Sequence, residues 1–578
     1  MQRDILSLVD KEFDLVVIGG GIFGICIAWD AALRGLSVAL LERGDFAGAT
    51  SANCFKMVHG GIRYLQHADL YRVRESCQER RVLLHIAPHL VRPVPIVIPT
   101  YGHGLRGKEF LRAGALAYDL LTLDRNRGLR DPVRRIAWGS ALSRTETLRL
   151  FPALPAERLT GAVTFSDGQI YSPARLALAI LKSAIAAGAV AANYAEVVGF
   201  LREGNRIKGV SARDLRDGGD FTVRGRMVIN ASGPWAERVL DRGASVQLDR
   251  RLAFSRDAYF VVRRRLTDGY GLAVQGATKD PDAILSRGSR HLFIMPWREH
   301  SIVGVWHVVY EGNPDNLTVR AADLQGFLDE INAAYPVGLT LDDVALWGAG
   351  LTLFGDNAPG VKDLSYGKRS LVVDHARIHG LEGLLTVIGV RYTTGRAVAE
   401  RAVDLALQKM GEKRRPCQTA NTPVHGGDLE RFGDLLRQAI DQRPRSLSPE
   451  MIPPLVQNHG SAYGRILAYI QMNPSWAEPL GATKVIKAEV VHAVREEMAQ
   501  TLDDIVFRRT DLGTAGHPGN DALEACADLM ASELGWDAGR REGELARVEA
   551  VFPRFSGTAQ EPERKALIAA EGGRSFRS

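Results

Sequence analysis

The segment KMVHGGIRYLQ, residues 56 to 66, combines four chemically active side chains with a pair of glycines. Lys56, His59, Arg63 and Tyr64 supply an ammonium, an imidazole, a guanidinium and a phenol. Such side chains are most often solvated surface groups. The glycine pair argues for a binding function, because glycine lets the backbone bend sharply or approach a ligand closely. Which ligand this would be depends on the elements that precede the segment.

The segment FDLVVIGGGIFG, residues 13 to 24, has the pattern of a strand, a tight turn and a helix. Its continuous apolar run suits a strand that is buried on both faces. Gly19, Gly21 and Gly24 then form GxGxxG, in which the first glycine allows the turn, the second admits a pyrophosphate and the third lets the helix pack closely. By itself this pattern is weak evidence, since it also fits a simple strand–helix turn.

A second strand, SVALLE, ends in Glu42. This carboxylate follows the glycines by about twenty residues, where it can accept hydrogen bonds from ribose hydroxyls. The strand, turn, helix and terminal acid together predict a dinucleotide-binding unit. They do not distinguish NAD from FAD, because both cofactors present an adenosine and a pyrophosphate to the same surface.

The longer sequence resembles the FAD-dependent glycerol-3-phosphate dehydrogenase and oxidase family, whose fold is shared with D-amino-acid oxidase-like flavoproteins. The resemblance runs in family order from residue 14 to about residue 513. The matching segments are DLVVIGGGIFG, GATSANCFKMVHGGIRYL, VINASGPWAERV at 228 to 239, GVRYTTGRAVAE at 389 to 400 and VREEMAQTLDDIVFRRTDLG at 494 to 513.

The resemblance implies that FAD is the cofactor. It places Thr50, Ser51 and Lys56 along the cofactor, and it implies that Thr393 and Thr394 open a helix whose positive N-terminus stabilises the reduced flavin. No metal site is expected. The cofactor-binding residues implied by the resemblance are Gly19, Gly21, Gly24, Glu42, Arg43, Thr50, Ser51, Lys56, Val197, Gly233, Gly389, Thr393 and Thr394.

By the same resemblance, HGGIRYL lies near the reactive face of the flavin, with Arg63 and Tyr64 directed at the substrate. Oxidation of an alcohol requires a base for the hydroxyl proton, and an imidazole such as that of His59 suits this role. The alternative is that His59 only hydrogen-bonds the cofactor. Arg391 stands where the family has a lysine. His307 is a candidate for a further base or a neutral hydrogen-bond partner, although a lone histidine is more often structural.

Three positions expected to face the substrate depart from the family pattern. WGAGLTLFGD, residues 347 to 356, aligns Leu351 with a substrate-binding arginine. SLVVDH has Val373 where a basic residue is common, and GVWHVV has Trp306 and His307 in place of Thr and Asp. Arginine binds phosphate through paired, charge-assisted hydrogen bonds, so loss of the two basic residues weakens phosphate recognition unless other cations replace them.

Two interpretations stay open. Either a rearranged set of cations that includes Arg63 and Arg391, with Arg396 and Arg256 as further candidates, holds the phosphate, or the substrate is another small polyol, hydroxy acid or amine. The resemblance implies oxidation of sn-glycerol 3-phosphate to dihydroxyacetone phosphate, with electrons passed to quinone or oxygen. An alternative of another class is a catalytically degenerate FAD-binding protein.

The expected fold class is α/β, with a Rossmann-like doubly wound FAD-binding domain, an α+β substrate domain with an antiparallel sheet, and a C-terminal helical domain. A chain of 578 residues is long enough for several domains. The expected boundaries are 1–100, 150–250 and 345–410 for the FAD-binding domain, 101–149 and 251–344 for the substrate or cap domain, 425–553 for the helical domain and 554–578 for a flexible tail.

The composition of the chain limits which cellular compartment and which partners are expected. A formal net charge of +6 is too small for this length to indicate a nucleic-acid partner. The five cysteines are scattered without a CxxC pair, which is typical of reduced thiols in a reducing compartment. No charge-free stretch reaches the length of a transmembrane helix. We therefore expect a cytoplasmic protein, and a homodimer is compatible with the resemblance.

Residues 103 to 135 combine an apolar helical face with flanking Arg and Lys residues. This pattern fits a helix that lies on an anionic membrane, and equally a core helix with a solvated basic rim. Members of the resembled family that reduce quinone work at membranes, whereas the oxidases are soluble. Peripheral contact with the cytoplasmic face of the inner membrane is therefore one expectation.

Overall fold

The computed structural model describes residues 1–9, 11–104, 107–248, 252–279, 289–354 and 369–553. The tail expected at 554–578 lies outside this range. The β-strands are β1 Glu12–Ile18, β2 Val38–Leu41, β3 Met57–Val58, β4 Val91–Tyr101, β5 Ser140–Leu142, β6 Leu159–Ile170, β7 Val190–Ala192, β8 Ala195–Glu203, β9 Arg206–Asp214, β10 Asp220–Asn230, β11 Phe254–Val262, β12 Gly271–Lys279, β13 Ser289–Trp297, β14 His300–Tyr310, β15 Val344–Leu353, β16 Leu371–Asp374 and β17 Leu384–Ile388.

The helices follow the same chain order. They are α1 Ile22–Leu33, α2 Leu70–Ile86, α3 Lys108–Leu121, α4 Arg144–Leu150, α5 Pro173–Ala186, α6 Ala236–Leu240, α7 Ala321–Ala334, α8 His375–His379, α9 Gly395–Lys409, α10 Phe432–Asp441, α11 Ile452–His459, α12 Gly464–Met472, α13 Lys487–Glu496, α14 Leu502–Asp504, α15 Asn520–Leu534 and α16 Ala538–Glu549. Among the described residues, none of these helices has the length and apolar character needed to cross a membrane.

The first sheet organises the dinucleotide-binding half of the molecule. Its strands run in the order β16, β17, β10, β1, β2 and β7, and β1 pairs in parallel with both β10 and β2. α1 packs against α5 and α9 on one face, and the antiparallel strands β8 and β9 extend the sheet beyond β10. The carboxyl ends of β1 and β10 therefore meet at one edge, where ligands bind in sheets of this kind.

The second sheet forms the wall opposite that edge. Its strands run in the order β15, β11, β14, β13, β12, β4, β6 and β3, with β5 paired to β6. α7 covers one face, where the rings of Phe260 and Phe327 lie 5.2 Å apart. The other face is turned toward the first half, because Tyr259 of β11 meets Phe55 at 6.2 Å between ring centroids.

The domain boundaries expected at residues 100 and 150 do not coincide with the division between the sheets. β4 and β6 pair along their length, so residues 91–101 and 159–170 belong to the second sheet. The local apolar runs could not show this, because the partner of β4 follows only after α3 and α4.

The C-terminal helices surround two apolar clusters of their own. The segment from 488 to 509, which has continuous helical periodicity, is not one helix. α13 ends at Glu496, Met498 has a left-handed backbone with φ of 54°, and Thr501 caps the short α14 before a π-helical turn at Ile505–Arg509. This break positions Arg508 and Arg509 toward the first sheet.

Candidate functional site

A cavity of about 840 Å³ runs from the carboxyl edge of the first sheet to the inner face of the second. The structure brings most of the predicted site residues to its wall. Those lining it are Gly19, Gly21, Glu42, Arg43, Thr50, Ser51, His59, Tyr64, Val197, Gly233, His307, Gly389, Arg391 and Thr393.

The glycine turn shapes the floor at one end of the cavity. Gly19 has φ of 103°, and a Cβ there would lie 2.8 Å from the carbonyl oxygen of Ala231. Gly24 does not line the cavity. It permits close packing of α1 on the turn, because a Cβ at this position would lie 1.9 Å from the carbonyl oxygen of Gly19. Gly19 and Gly24 thus have the turn and helix-packing roles that the spacing predicted.

Glu42 lies at the end of β2 beside this turn. Its carboxylate accepts hydrogen bonds from the backbone N–H groups of Gly20 at 2.6 Å and Gly44 at 2.7 Å. Burial raises the pKa of Glu42, although the two N–H groups oppose that effect. Ser51 accepts a hydrogen bond from the N–H of Ile22 at 2.9 Å, at the N-terminus of α1. The carboxylate of Glu42, the hydroxyl of Ser51 and the N-terminus of α1 therefore surround the same part of the cavity.

Arg43 lies at the mouth of the cavity. Its guanidinium pairs with Asp315 at 2.8 Å and lies over the ring of Trp235 at 5.3 Å. Arg238 and the indole N–H of Trp235 also bind Asp315, each at 2.7 Å. Arg43 thus joins the loop after β14 to the dinucleotide-binding half.

The middle of the cavity is formed where the two halves touch. The hydroxyl of Thr50 accepts a hydrogen bond from the N–H of Leu351 at 2.9 Å, which joins the dinucleotide-binding half to β15. Gly389 permits a second close approach, because a Cβ there would lie 1.9 Å from the ring of Phe23. Leu351 is buried and offers the cavity no charge in place of the family arginine.

Two further residues predicted to bind the cofactor also line the cavity. Gly233 has φ of 58° in the turn that follows β10, and Val197 lies near the start of β8. Thr393 and Thr394 precede the fifteen-residue helix α9, as expected, but only Thr393 reaches the cavity. Thr394 lies behind it and donates a hydrogen bond to the carbonyl of Arg391 at 3.3 Å.

Lys56 does not line the cavity. Its ammonium donates to the hydroxyl of Tyr259 at 2.5 Å and lies 4.1 Å and 4.8 Å from the ring centroids of Tyr259 and Trp297. Burial lowers the pKa of Lys56 to about 7. The side chain supports the cavity wall from behind. It was predicted to lie along the cofactor, but it does not line the cavity.

Two physical constraints explain why HGGIRYL has glycine at both positions 60 and 61. A Cβ at Gly60 would lie 2.0 Å from the hydroxyl of Tyr118 and 2.5 Å from the guanidinium of Arg80, and Gly61 has φ of 78°. The N–H of Gly60 donates to Asp167 at 2.6 Å, and Arg80 pairs with the same carboxylate at 2.5 Å. This buried network holds His59 at the cavity wall.

Tyr64 and Arg391 lie together in the cavity wall. The guanidinium of Arg391 is 5.3 Å from the ring centroid of Tyr64 and pairs with Glu75 at 2.9 Å. The ring of His59 meets that of Tyr64 edge-on at 6.2 Å. The side chain of Arg63 lies outside the described part of the structure.

Two other cations considered for phosphate do not line the cavity. Arg396 is buried in an ion pair with Glu79 at 2.6 Å. Arg256 pairs with Asp323 at 3.0 Å on the face of β11 that packs against α7. Sequence spacing could not exclude them, because strand alternation and helix packing decide which way each side chain points.

The sequence analysis missed several polar residues of the second sheet. Asp257 accepts a hydrogen bond from Nδ1 of His307 at 2.7 Å, and both residues line the cavity. Period-two alternation in FSRDAYF could have indicated that Asp257 shares a face with Tyr259. Other lining residues that the sequence did not single out are Asp167, His291 and Glu330.

A metal site finds little support in the described residues. His459, His492 and Glu497 form one compact buried group of potential ligands. The ammonium of Lys182 lies 3.0 Å from Glu497 and 3.4 Å from His492, so a cation is already among these ligand atoms. The group is a charged contact between α5 and the C-terminal helices.

The cavity fits FAD. One space is lined by the backbone of Gly19 and Gly21, by the N-terminus of α1 and by the acceptor carboxylate of Glu42. Thr393, which precedes α9, lines it as well. A family model described as FAD dependent oxidoreductase matches residues 14–402, and one described as the C-terminal domain of alpha-glycerophosphate oxidase matches residues 417–541. The chain belongs to the FAD-dependent oxidoreductase family. FAD is its cofactor.

Relatives of almost the full length narrow the family. The glycerol-3-phosphate dehydrogenase of Synechocystis sp. is 33% identical over 92% of this chain and 95% of its own. Glycerol-3-phosphate dehydrogenase 2 of Mycobacterium bovis is 32% identical over 93% of this chain and 88% of its own. The resemblance to the FAD-dependent glycerol-3-phosphate dehydrogenase family is therefore confirmed.

A solved structure confirms the fold. The glycerol-3-phosphate dehydrogenase of Bacillus halodurans complexed with FAD superimposes with a TM-score of 0.74 at 24% identity, covering 96% of this chain and 98% of that one. The α/β fold class and the helical C-terminal domain agree with the prediction from the sequence.

Proposed function

We propose that the protein oxidises sn-glycerol 3-phosphate to dihydroxyacetone phosphate and passes the electrons to quinone or oxygen. The observation that carries the proposal is one cavity whose wall includes both the dinucleotide-binding turn and the His59, Tyr64 and Arg391 side chains. Relatives that share nearly the whole chain carry the same activity in their names.

When bound, FAD supplies the acceptor for the hydride of the alcohol carbon. The residues of the chain supply the rest. We assign proton acceptance from the substrate hydroxyl to His59, which the Asp167 network holds at the wall. Arg391 attracts the phosphate, and Glu75 and Ser76 fix its guanidinium through hydrogen bonds of 2.9 and 2.8 Å.

Anaerobic mixing of the purified holoprotein with sn-glycerol 3-phosphate tests the proposal. We expect the visible absorption band of the flavin to disappear at a rate that saturates with substrate. A band that survives saturating substrate and yet disappears with dithionite would contradict the proposed substrate while showing a competent cofactor. Dihydroxyacetone phosphate, measured by coupled assay, identifies the product.

A second candidate function is oxidation of another small polyol, hydroxy acid or amine. Buried Leu351 at the family arginine position favours it, because a cation that would bind a phosphate is absent there. A panel of such compounds in the same anaerobic assay decides between the candidates. Faster flavin reduction by an uncharged polyol than by sn-glycerol 3-phosphate would favour the second.

We further propose peripheral membrane contact through α3. Its outward face carries Phe110, Leu116 and Leu120, and the latter two are 53% and 56% exposed. Apolar side chains beside Arg112 suit an anionic bilayer surface. Wild-type protein should sediment with phosphatidylglycerol vesicles, Leu116→Glu/Leu120→Glu should not, and exposed Met472→Glu should behave as wild type. Equal sedimentation of wild type and the double variant would contradict this contact.

A further inference from the structure

Asp257 is held in the cavity wall by two hydrogen bonds to one of its oxygens. Oδ1 accepts from Nδ1 of His307 at 2.7 Å and from the hydroxyl of Ser255 at 2.6 Å. Asp257 and His307 are direct partners across the antiparallel pair β11–β14, so the backbone ladder sets their separation. The carboxylate is therefore fixed in orientation before any substrate binds.

The second oxygen of this carboxylate has no hydrogen-bond donor among the residues that the structure describes. Asp257 lines the cavity, and its other ladder neighbour is Gly350, which adds no side chain beside it. Thr50 of the FAD-binding half lies against Gly350, where a Cβ would approach it to 2.8 Å. Oδ2 thus belongs to the wall that faces the cofactor-binding half.

The charge of this wall determines what it can bind. A carboxylate accepts hydrogen bonds and repels a phosphate dianion. The neighbouring cation cannot compensate, because Arg256 points to the opposite face of β11 and pairs with Asp323 at 3.0 Å. A hydroxyl group can donate to Oδ2 and gain a charge-assisted hydrogen bond. This wall therefore suits the hydroxyl end of a polyol phosphate.

We propose that Asp257 is a specificity-determining residue that binds the non-reacting primary hydroxyl of the substrate, with His307 as the positioning residue that orients its carboxylate. The phosphate then lies at the Arg391 end. This inference rests on the proposed function, because it uses sn-glycerol 3-phosphate as the substrate. The replacement of the family Asp by His307 is explained by its bond to Asp257.

The test compares sn-glycerol 3-phosphate with 2-hydroxypropyl phosphate, which lacks only the primary hydroxyl. Limiting rates and dissociation constants come from anaerobic flavin reduction of the holoprotein. The analogue cannot form the hydrogen bond to the Asp257 carboxylate. The wild type should therefore prefer sn-glycerol 3-phosphate by about 10- to 100-fold in the ratio of limiting rate to dissociation constant. Asp257→Ala should reduce the preference to below about threefold, mainly through the dissociation constant.

Further variants separate recognition from folding. Asp257→Asn keeps the size of the side chain and should reduce the preference without unfolding the protein. His307→Gln should weaken it to a smaller extent, whereas Asp268→Asn, at an exposed acid in the loop between β11 and β12, should leave it unchanged. An equal preference in wild type, Asp257→Ala and Asp257→Asn would overturn the inference and leave the proposed function intact.

Failure of the proposed function gives a different result. If neither compound reduces the wild-type flavin, the proposed substrate is contradicted. The affinities of the two compounds for the oxidised holoprotein, measured by calorimetry, then test whether Asp257 binds the primary hydroxyl. Tighter binding of sn-glycerol 3-phosphate that Asp257→Ala abolishes supports it, and equal binding or no binding overturns it.

Discussion

Asp45 of the dinucleotide-binding half and Arg509 of the C-terminal region form a doubly hydrogen-bonded ion pair. Nη1 and Nη2 of Arg509 donate to the two carboxylate oxygens at 2.6 and 2.7 Å, and Arg508 adds a third bond at 2.6 Å. All three side chains are buried. The pair therefore couples the C-terminal helices to the edge of the FAD cavity.

Asp45→Asn should destabilise this junction. Removing one partner of a buried ion pair costs about 3–5 kcal/mol, because the remaining charge loses its compensation. Chemical unfolding followed by circular dichroism measures the loss, and exposed Asp220→Asn is the matched control. Equal unfolding midpoints for Asp45→Asn and wild type would contradict the coupling.

The same pair predicts a dependence on acid. Burial alone would raise the pKa of Asp45, but Arg509 and Arg508 outweigh it and lower the pKa to about 2. The unfolded chain takes up this proton near pH 3.8. The stabilisation is therefore fully present above that pH and is lost as the pH falls toward 2. The stability difference between wild type and Asp45→Asn should shrink across this window.

Gly60→Ala should disrupt the wall that holds His59. The added Cβ would meet Tyr118 at 2.0 Å and Arg80 at 2.5 Å, and both belong to a buried network that cannot give way easily. We expect a lower melting temperature and weaker FAD retention. Gly114→Ala in α3 is the control, since its Cβ meets nothing within 4 Å and alanine favours the helix. A Gly60→Ala protein with wild-type melting and FAD content would contradict this packing role.

How much of this site the sequence could predict depends on whether its determinants are local. The GxGxxG turn and Glu42 are local features with a fixed relation to the strand and helix around them, and the structure has them as predicted. Asp257 was missed because its role depends on pairing with His307 of another strand. Lys56 was misplaced because only the packed structure shows it behind Tyr259 rather than beside the cavity.

The same distinction applies to the fold. The sequence predicted a helical C-terminal domain, yet periodicity could not show that Met498 interrupts the segment after α13. The pairing of β4 with β6 is a long-range contact that apolar runs do not encode. Sequence spacing also could not show that the side chains of Arg256 and Arg396 point away from the cavity, because packing sets their direction.

Glu42→Ala should weaken FAD binding. The variant removes the carboxylate expected to meet the ribose hydroxyls and leaves the N–H groups of Gly20 and Gly44 without an acceptor. A hydrogen bond to a charged group contributes about 1.5–3 kcal/mol, which corresponds to a loss of affinity of about 10- to 100-fold. Fluorescence titration of apoprotein with FAD measures it. Glu12→Gln, at the exposed start of β1, should bind FAD as wild type does, and an unchanged affinity for Glu42→Ala would contradict the assignment.

Arg391→Met should weaken substrate binding more than it slows the chemical step. Arg391 is placed at the phosphate end, and loss of one charge-assisted contact predicts an increase in KM of about 10- to 100-fold. Arg401→Met is the matched control, because Arg401 pairs with the other oxygen of Glu75 at 2.9 Å and does not line the cavity. Steady-state kinetics with sn-glycerol 3-phosphate compare the two. Equal KM values for both variants would remove Arg391 from phosphate recognition.

Lys56→Met should increase stability in a pH-dependent manner. Burial lowers the pKa of Lys56 to about 7, an effect that Cys54 opposes and Arg298 reinforces, whereas the unfolded chain releases this proton near pH 10.5. Between these values the unfolded state binds more protons, so wild-type stability rises with pH relative to the variant. The advantage of methionine should therefore be largest below pH 7 and diminish as the pH approaches 10.5. Melting temperatures at pH 6.5 and 9.5 measure the trend, with exposed Lys413→Met as the control. An advantage of Lys56→Met that is the same at both pH values would mean that the ammonium is not buried as the contacts with Tyr259 and Trp297 indicate.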